Sequence, residues 1–146
     1  MKILIISVSK NKTDFDDLRN EYSLRIGRQL KIEEDILIPS DKDSESDKIL
    51  SRLKTSDYVI LMDERGSQIK SEEFAEIIEN RMNDSVQRLV FIIGGAYGVS
   101  EEVKNRANYT MALSKMVFPH NLAKLVLFEQ IYRALSILSN SAYHHE

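Results

Sequence analysis

The chain has 146 residues, 42% hydrophobic and 29% charged, enough for a single domain with a core and unlike a disordered tail or a membrane protein. It has no cysteine, which excludes a disulfide framework and any thiolate metal or nucleophile site. Lys plus Arg number 20 and Asp plus Glu 23, a formal net charge of −3, which argues against gripping nucleic acid by bulk charge.

Residues 2–8 (KILIISV) form a β-branched run, bounded by Ser9-Lys10-Asn11, and read as a strand buried on both faces. Lys10 and Lys12 follow this run at once, with no small-x-small cleavage site, so no targeting segment is expected. Nor does any apolar stretch reach the ~18 residues of a membrane span, and the expected location is cytoplasmic. Phe15, Leu18, Tyr22 and Ile26 recur at helical spacing, predicting a helix over 14–27 with Asp14 as N-cap and Gly27 as stop. A second strand is predicted over 31–38, ended by Pro39. Residues 40–47 read as a charged loop leading to a short helix at 49–53.

The third strand is predicted over 56–62, followed by a turn at Asp63-Glu64-Arg65-Gly66. Ser71 is the expected cap of a helix over 71–82, with Phe74, Ile77 and Ile78 as its buried stripe. A fourth strand over 88–93 runs into Gly94-Gly95-Ala96-Tyr97-Gly98, and Ser100 caps the helix that follows. Residues 109–114 read as a fifth strand, and Pro119 opens the longest helix, about 121–139. This alternation implies one α/β domain over 1–146, with a mostly parallel sheet and helices on both faces.

The glycine cluster lies between a strand and a helix, where α/β folds bind ligands. It matches neither G-x-G-x-x-G nor a P-loop, so a turn needing positive φ explains it as well. Asp63 and Glu64 could hold Mg²⁺ or a ribose, or form a solvated turn. Glu129 and Arg133 lie four apart, able to pair on one helix face. The same helix carries Leu122, Leu125, Val126, Ile131, Leu135 and Leu138, more than one stripe, which suggests a dimer interface. A metal site from His120, His144 and His145 is conceivable, but adjacent histidines rarely ligate together, and none is expected.

Charge is uneven: residues 1–73 hold 13 basic and 16 acidic side chains, whereas 103–146 hold Lys104, Arg106, Lys115, Lys124 and Arg133 against Glu129 and Glu146. Two such carboxyl-terminal parts in a dimer could form a local basic groove.

The runs FIIGGAYGVS (91–100), LSKMVFPH (113–120), EQIYRA (129–134) and the closing AYHHE, with the opening MKILIISVSK, are more specific together than any one of them. In order and spacing they resemble the SPOUT-class ribosomal RNA methyltransferases of the RlmH type over nearly the whole chain. The resemblance implies an α/β fold with a trefoil-knotted carboxyl-terminal half and a homodimer. It implies an S-adenosylmethionine-dependent enzyme that methylates N3 of a pseudouridine in 23S rRNA of the assembled ribosome. By motif match the cofactor positions are Met62, Gly94, Leu113, Ser114, Lys115, Met116, Val117 and Phe118. Glu129, Arg133, Tyr143 and His144 are the substrate-side and catalytic positions: His144, or Tyr143 through its neighbour, is expected to assist proton loss from N3, and Arg133 to steady the anionic base. Ser9 replaces a common glycine, Met62 a leucine, and His145 a basic residue. The competing readings are a nucleotide-binding α/β protein and a dimeric interaction module without methyltransferase activity.

Overall fold

A computed structural model describes residues 1–10 and 12–145; Asn11 and Glu146 lie outside the described residues. The elements in chain order are β1 (Lys2–Val8), α1 (Asp16–Gly27), β2 (Lys31–Leu37), α2 (Lys42–Ser51), β3 (Tyr58–Gln68), α3 (Ser71–Asn83), β4 (Arg88–Ile93), α4 (Glu101–Arg106), β5 (Tyr109–Ala112) and α5 (His120–Leu138). The five strands form one sheet in the order β2-β1-β4-β3-β5, every pairing parallel.

Period-two alternation explains why both faces are covered. Ile3 and Ile5 of β1, with Leu89, Phe91 and Ile93 of β4, pack into a core with α1, α3 and α5. The alternate residues Leu4, Ile6, Val90 and Ile92 face the second core, closed by Ile49 of α2 and Val103 of α4. Helix α5 lies beside both α1 and α3, and this accounts for its surplus of apolar faces. Leu125, Leu127, Phe128, Ile131 and Leu135 are buried within the subunit, and Leu122, Val126 and Leu138 are half-buried. The apolar excess of α5 is thus consumed by its own fold and does not by itself call for a partner.

Several local expectations change. Helix α1 begins after Phe15, and Asp14 is not its cap; Asp16 instead accepts the backbone N–H and hydroxyl of Thr13 at 3.0 and 2.7 Å. Gly27 closes α1 without a left-handed residue, since the helix ends on Arg28 in the right-handed region. Residues 42–47, expected as loop, are helical. Asp41 accepts from the Ser44 N–H at 2.8 Å, a side-chain cap that sets the start, and Glu45, Ser46 and Ile49 are buried. Ser71 is the first residue of α3, not its cap, and its hydroxyl donates to Gln130 at 2.7 Å. Ser100 does cap α4, accepting from Val103.

The largest difference concerns β3, which does not turn after Met62 but continues through Asp63–Arg65 to Gln68. Its pairing with β5 shifts register between Met62 and Ser67. Gly66 permits this close approach: a Cβ there would lie 2.7 Å from the Thr110 carbonyl. The fifth strand stops at Ala112, leaving Leu113 and Ser114 in the loop that enters α5.

Candidate active site

Two groups of side chains stand out. The first is a cleft of about 660 Å³ at the carboxyl ends of β3, β4 and β5, a size and a place typical of ligand sites in α/β folds. Its walls are Ile93 at the end of β4 with its partner Met62 in β3, the turn from Gly94 to Val99, and the loop that includes Leu113, Ser114, Met116, Val117 and Phe118. His120, Asn121 and Ala123 close it from the first turn of α5. Of the sequence-expected cofactor positions only Lys115 does not line it; that side chain is exposed. The glycine turn is closed by the Gly98 N–H donating to the Gly95 carbonyl at 3.1 Å, with Gly98 at φ 77°.

Met62, Met116 and Phe118 offer apolar surface, and the glycine turn offers backbone groups. Asn121 adds a buried side-chain oxygen that has no hydrogen-bond partner among the described residues. This lining suits a flat ligand with a few polar groups. Asp63, by contrast, is engaged by Arg65, whose backbone N–H, Nε and Nη2 all donate to its carboxylate at 2.9–3.1 Å. These bonds hold its carboxyl below the usual range against the opposing effect of burial. Among the described residues no group of three His, Asp or Glu side chains is arranged to hold a metal ion.

The second group gathers the tail onto α5. Arg133 donates to Glu129 Oε1 through Nε at 2.9 Å and Nη2 at 2.6 Å, and the Tyr143 hydroxyl donates to the same oxygen at 3.1 Å. The Gln130 amide donates to Glu129 Oε2 at 2.8 Å. The Tyr143 ring sits edge-on to Tyr132, with centroids 4.7 Å apart, and under the Arg133 guanidinium at 4.9 Å. Burial, the Tyr22 hydroxyl 3.3 Å away and the Glu129 charge together push the Tyr143 phenol well above its ordinary pKa. Tyr143 is therefore a hydrogen-bond donor across the neutral range, not a base.

His144 lies between Arg133 and Glu72. Its Nδ1 is 3.1 Å from Arg133 Nη1 and its Nε2 2.8 Å from Glu72 Oε1. A guanidinium only donates, so Nδ1 is the acceptor and Nε2 carries the hydrogen that faces Glu72. The contact lowers the Glu72 carboxyl. His145 is exposed.

All four expected catalytic positions thus come together, with Glu72 and Tyr22 added from α3 and α1. Nothing in the sequence marks those two, because they come from helices far away along the chain. The cluster and the cleft remain apart. Along α5, at 1.5 Å per residue, Glu129 and Arg133 stand about 12 and 18 Å beyond Asn121. His120 lines the cleft while His144 sits in the tail cluster.

Two residues behave differently from their sequence reading. Lys124, counted above among the surface basics, is 2% exposed, its Nζ 3.2 Å from Ser7 Oγ and 3.6 Å from Glu34; burial lowers its pKa. With Lys124 inside and Arg133 matched by Glu129, two of the five basic residues expected of a carboxyl-terminal groove do not supply free charge. The spacing of Lys124, three, four and seven residues from Leu127, Phe128 and Ile131, is the signal that would have placed it on the buried stripe. Ser9 is buried and its backbone N–H extends the β1–β2 pairing by donating to the Leu37 carbonyl at 3.1 Å, its hydroxyl left without a partner among the described residues.

The chain is similar over nearly its whole length to known proteins. Curated proteins named "Ribosomal RNA large subunit methyltransferase H" from Christiangramia forsetii and Ureaplasma urealyticum are 42% and 43% identical to the chain, each alignment covering 99% of both proteins. One from Parabacteroides distasonis is 38% identical over 100% of both. A solved structure, "a probable methylase family protein from Haemophilus influenzae Rd KW20", superposes with a TM-score of 0.56 over 99% of this chain and 70% of that one; at 11% identity it speaks to the fold alone. No helix among the described residues is long and apolar enough to cross a membrane. The family described as "Predicted SPOUT methyltransferase" matches residues 1–144, and the chain belongs to it.

Proposed function

We propose that this protein is an S-adenosylmethionine-dependent methyltransferase that modifies N3 of a pseudouridine in 23S rRNA of the assembled ribosome, in the cytoplasm and as a homodimer with a knotted carboxyl-terminal half. The reading rests above all on near-full-length identity of about 40% to large-subunit rRNA methyltransferases. Cleft and tail supply residues suited to the reaction.

The cleft fits the cofactor. Met62, Met116 and Phe118 would flank its adenine, the Gly94–Gly98 turn and the loop after β5 would hold its polar groups, and Asn121 Oδ1 offers an acceptor for an N–H or O–H. When bound, the cofactor supplies an electrophilic methyl group on a sulfonium; the protein's task is orientation and charge control.

The tail cluster supplies the rest. Arg133 would hold the base as N3 loses its proton, and a developing anion there competes with His144 for Nη1. That exchange frees His144 Nδ1 to take the proton, while Glu72 holds the imidazole through Nε2. Tyr143, kept neutral, fixes Glu129 and with it the Arg133 fork.

The separation of cluster and cleft along α5 supports a dimer in which one subunit's tail serves its partner's cleft. Tyr97, Met116 and Val117, at 76%, 75% and 75% exposure on the cleft rim, supply apolar surface for such a contact. The test is methylation of 70S particles that lack the modification, with the modified base then located. Transfer to N3 of one pseudouridine is expected; activity on free rRNA with none on ribosomes would refute the substrate assignment.

A further inference from the structure

The buried carboxylate of Glu45 has no part in the reaction outlined above. It lies in the first turns of α2 and is 2% exposed. Its Oε2 accepts the Ser40 N–H at 2.7 Å, whereas Oε1 has no hydrogen-bond partner among the described residues. That free oxygen abuts the glycine turn. A Cβ at Gly95 would lie 2.6 Å from it, so only glycine allows the turn and the carboxylate to meet. Gly95 lines the cleft, and Glu45 stands behind it. The next residue, Ser46, accepts the Ser100 N–H at 2.9 Å, so α2 holds the glycine segment at both ends.

Among the described residues no Lys, Arg or His pairs with Glu45. A buried carboxylate without a cation is costly to the fold, and such groups concentrate at functional sites. One residue behind a cleft wall, its field reaches the cleft with little screening.

We propose that Glu45 is a specificity-determining residue for the methyl donor: its unpaired charge behind Gly95 favours a sulfonium ligand in the cleft over the uncharged thioether that methyl transfer leaves. The proposal rests on the methyltransferase reading. The donor carries one more positive charge than S-adenosylhomocysteine and is otherwise nearly the same shape, so the pair isolates charge from fit.

The test is calorimetric titration of the full chain with each ligand. Glu45→Gln keeps the side-chain shape and an acceptor for Ser40 while removing the charge. It is expected to weaken S-adenosylmethionine binding about tenfold and S-adenosylhomocysteine less than about twofold. Glu45→Asp, which keeps the charge, is expected to preserve most of the preference. Equal weakening of both ligands by Glu45→Gln would reduce Glu45 to a structural brace and overturn the proposal, as would no change in either. In the wild-type chain the donor is expected to bind more tightly than the product, and the reverse order refutes the proposal whether or not a variant folds. Binding of neither ligand to the wild-type chain would overturn the cofactor reading itself, and the role of Glu45 with it.

Discussion

Replacing Glu129 by alanine tests whether the tail cluster is a built site or a surface ion pair. An exposed pair four apart on a helix contributes only ~0.3–0.5 kcal/mol. Glu129 differs in three respects. Its Oε1 accepts two N–H groups from one guanidinium and the Tyr143 hydroxyl as well. The two side chains of the pair are about four-fifths and three-quarters buried, at 19% and 24% exposure. Its loss also strands Arg133 against the Tyr143 ring without a counter-charge. A charge-assisted hydrogen bond contributes about 1.5–3 kcal/mol, and partial solvation of this pair puts the expected loss near 2 kcal/mol. At about 2–4 °C per kcal/mol for a chain of this length, Tm should fall by ~6 °C. Urea unfolding gives the free energy directly. The same variant removes one of the influences that raise the Tyr143 phenol, so spectrophotometric titration should find one tyrosine ionising at lower pH than before. A loss under ~0.5 kcal/mol, with the tyrosine titration unmoved, would show that the cluster is an exposed pair and refute the docking of the tail.

Four further outcomes follow from particular contacts. If each active site joins one subunit's cleft to its partner's tail, mixing equal amounts of an inactive cleft variant and inactive Arg133→Ala should restore about one quarter of wild-type methylation, since half the dimers then hold one intact site; no recovery after subunit exchange would place both parts in one subunit. Asp57 is buried and takes Arg88 Nε and Nη2 at 2.8 and 2.5 Å; Asp57→Ala should lower stability by about 3–5 kcal/mol in urea unfolding. Burial would raise the Asp57 carboxyl, but Arg88 and the Lys54 N–H outweigh it, and Asp16 is lowered to about 2 by Thr13 and Arg19. Both folded values lie below the unfolded one, so their stabilisation is present above the ordinary carboxylate range and is lost as pH falls through the folded values, about 2 for Asp16, which a pH series of urea melts should show. Gly66→Ala drives a Cβ into the Thr110 backbone, and a loss of about 1–3 kcal/mol with weakened exchange protection in β5 is expected.

Sheet strands were legible because both faces of a central parallel strand are apolar, and runs such as 2–8 and 88–93 admit few other structures. Membership of the SPOUT methyltransferase family was legible from four motifs whose order and spacing are specific, and these motifs also hold residues that line the cleft and form the tail cluster. Polar segments misled. Residues 42–47 carry a helix whose burial depends on Glu45 and Ser46 meeting the glycine segment, and Asp63–Arg65 bridge a register break within β3, which pairs with β5 up to Met62 and again from Ser67. Local chemistry in both segments favours turns, and long-range contacts decide otherwise.

The net charge of −3 and the basic bias of residues 103–146 come from the sequence alone, but their meaning does not. Which charges face solvent depends on packing: Lys124 is drawn into the interior beside Ser7 and Glu34, and Arg133 is held by Glu129. Periodicity and motif are properties of neighbours along the chain, and the sequence determined the elements, the family and the candidate residues. Pairings such as Glu72 with His144, Tyr22 with Tyr143 and Glu45 with Gly95 join residues that are distant along the chain, so only the tertiary structure decided them.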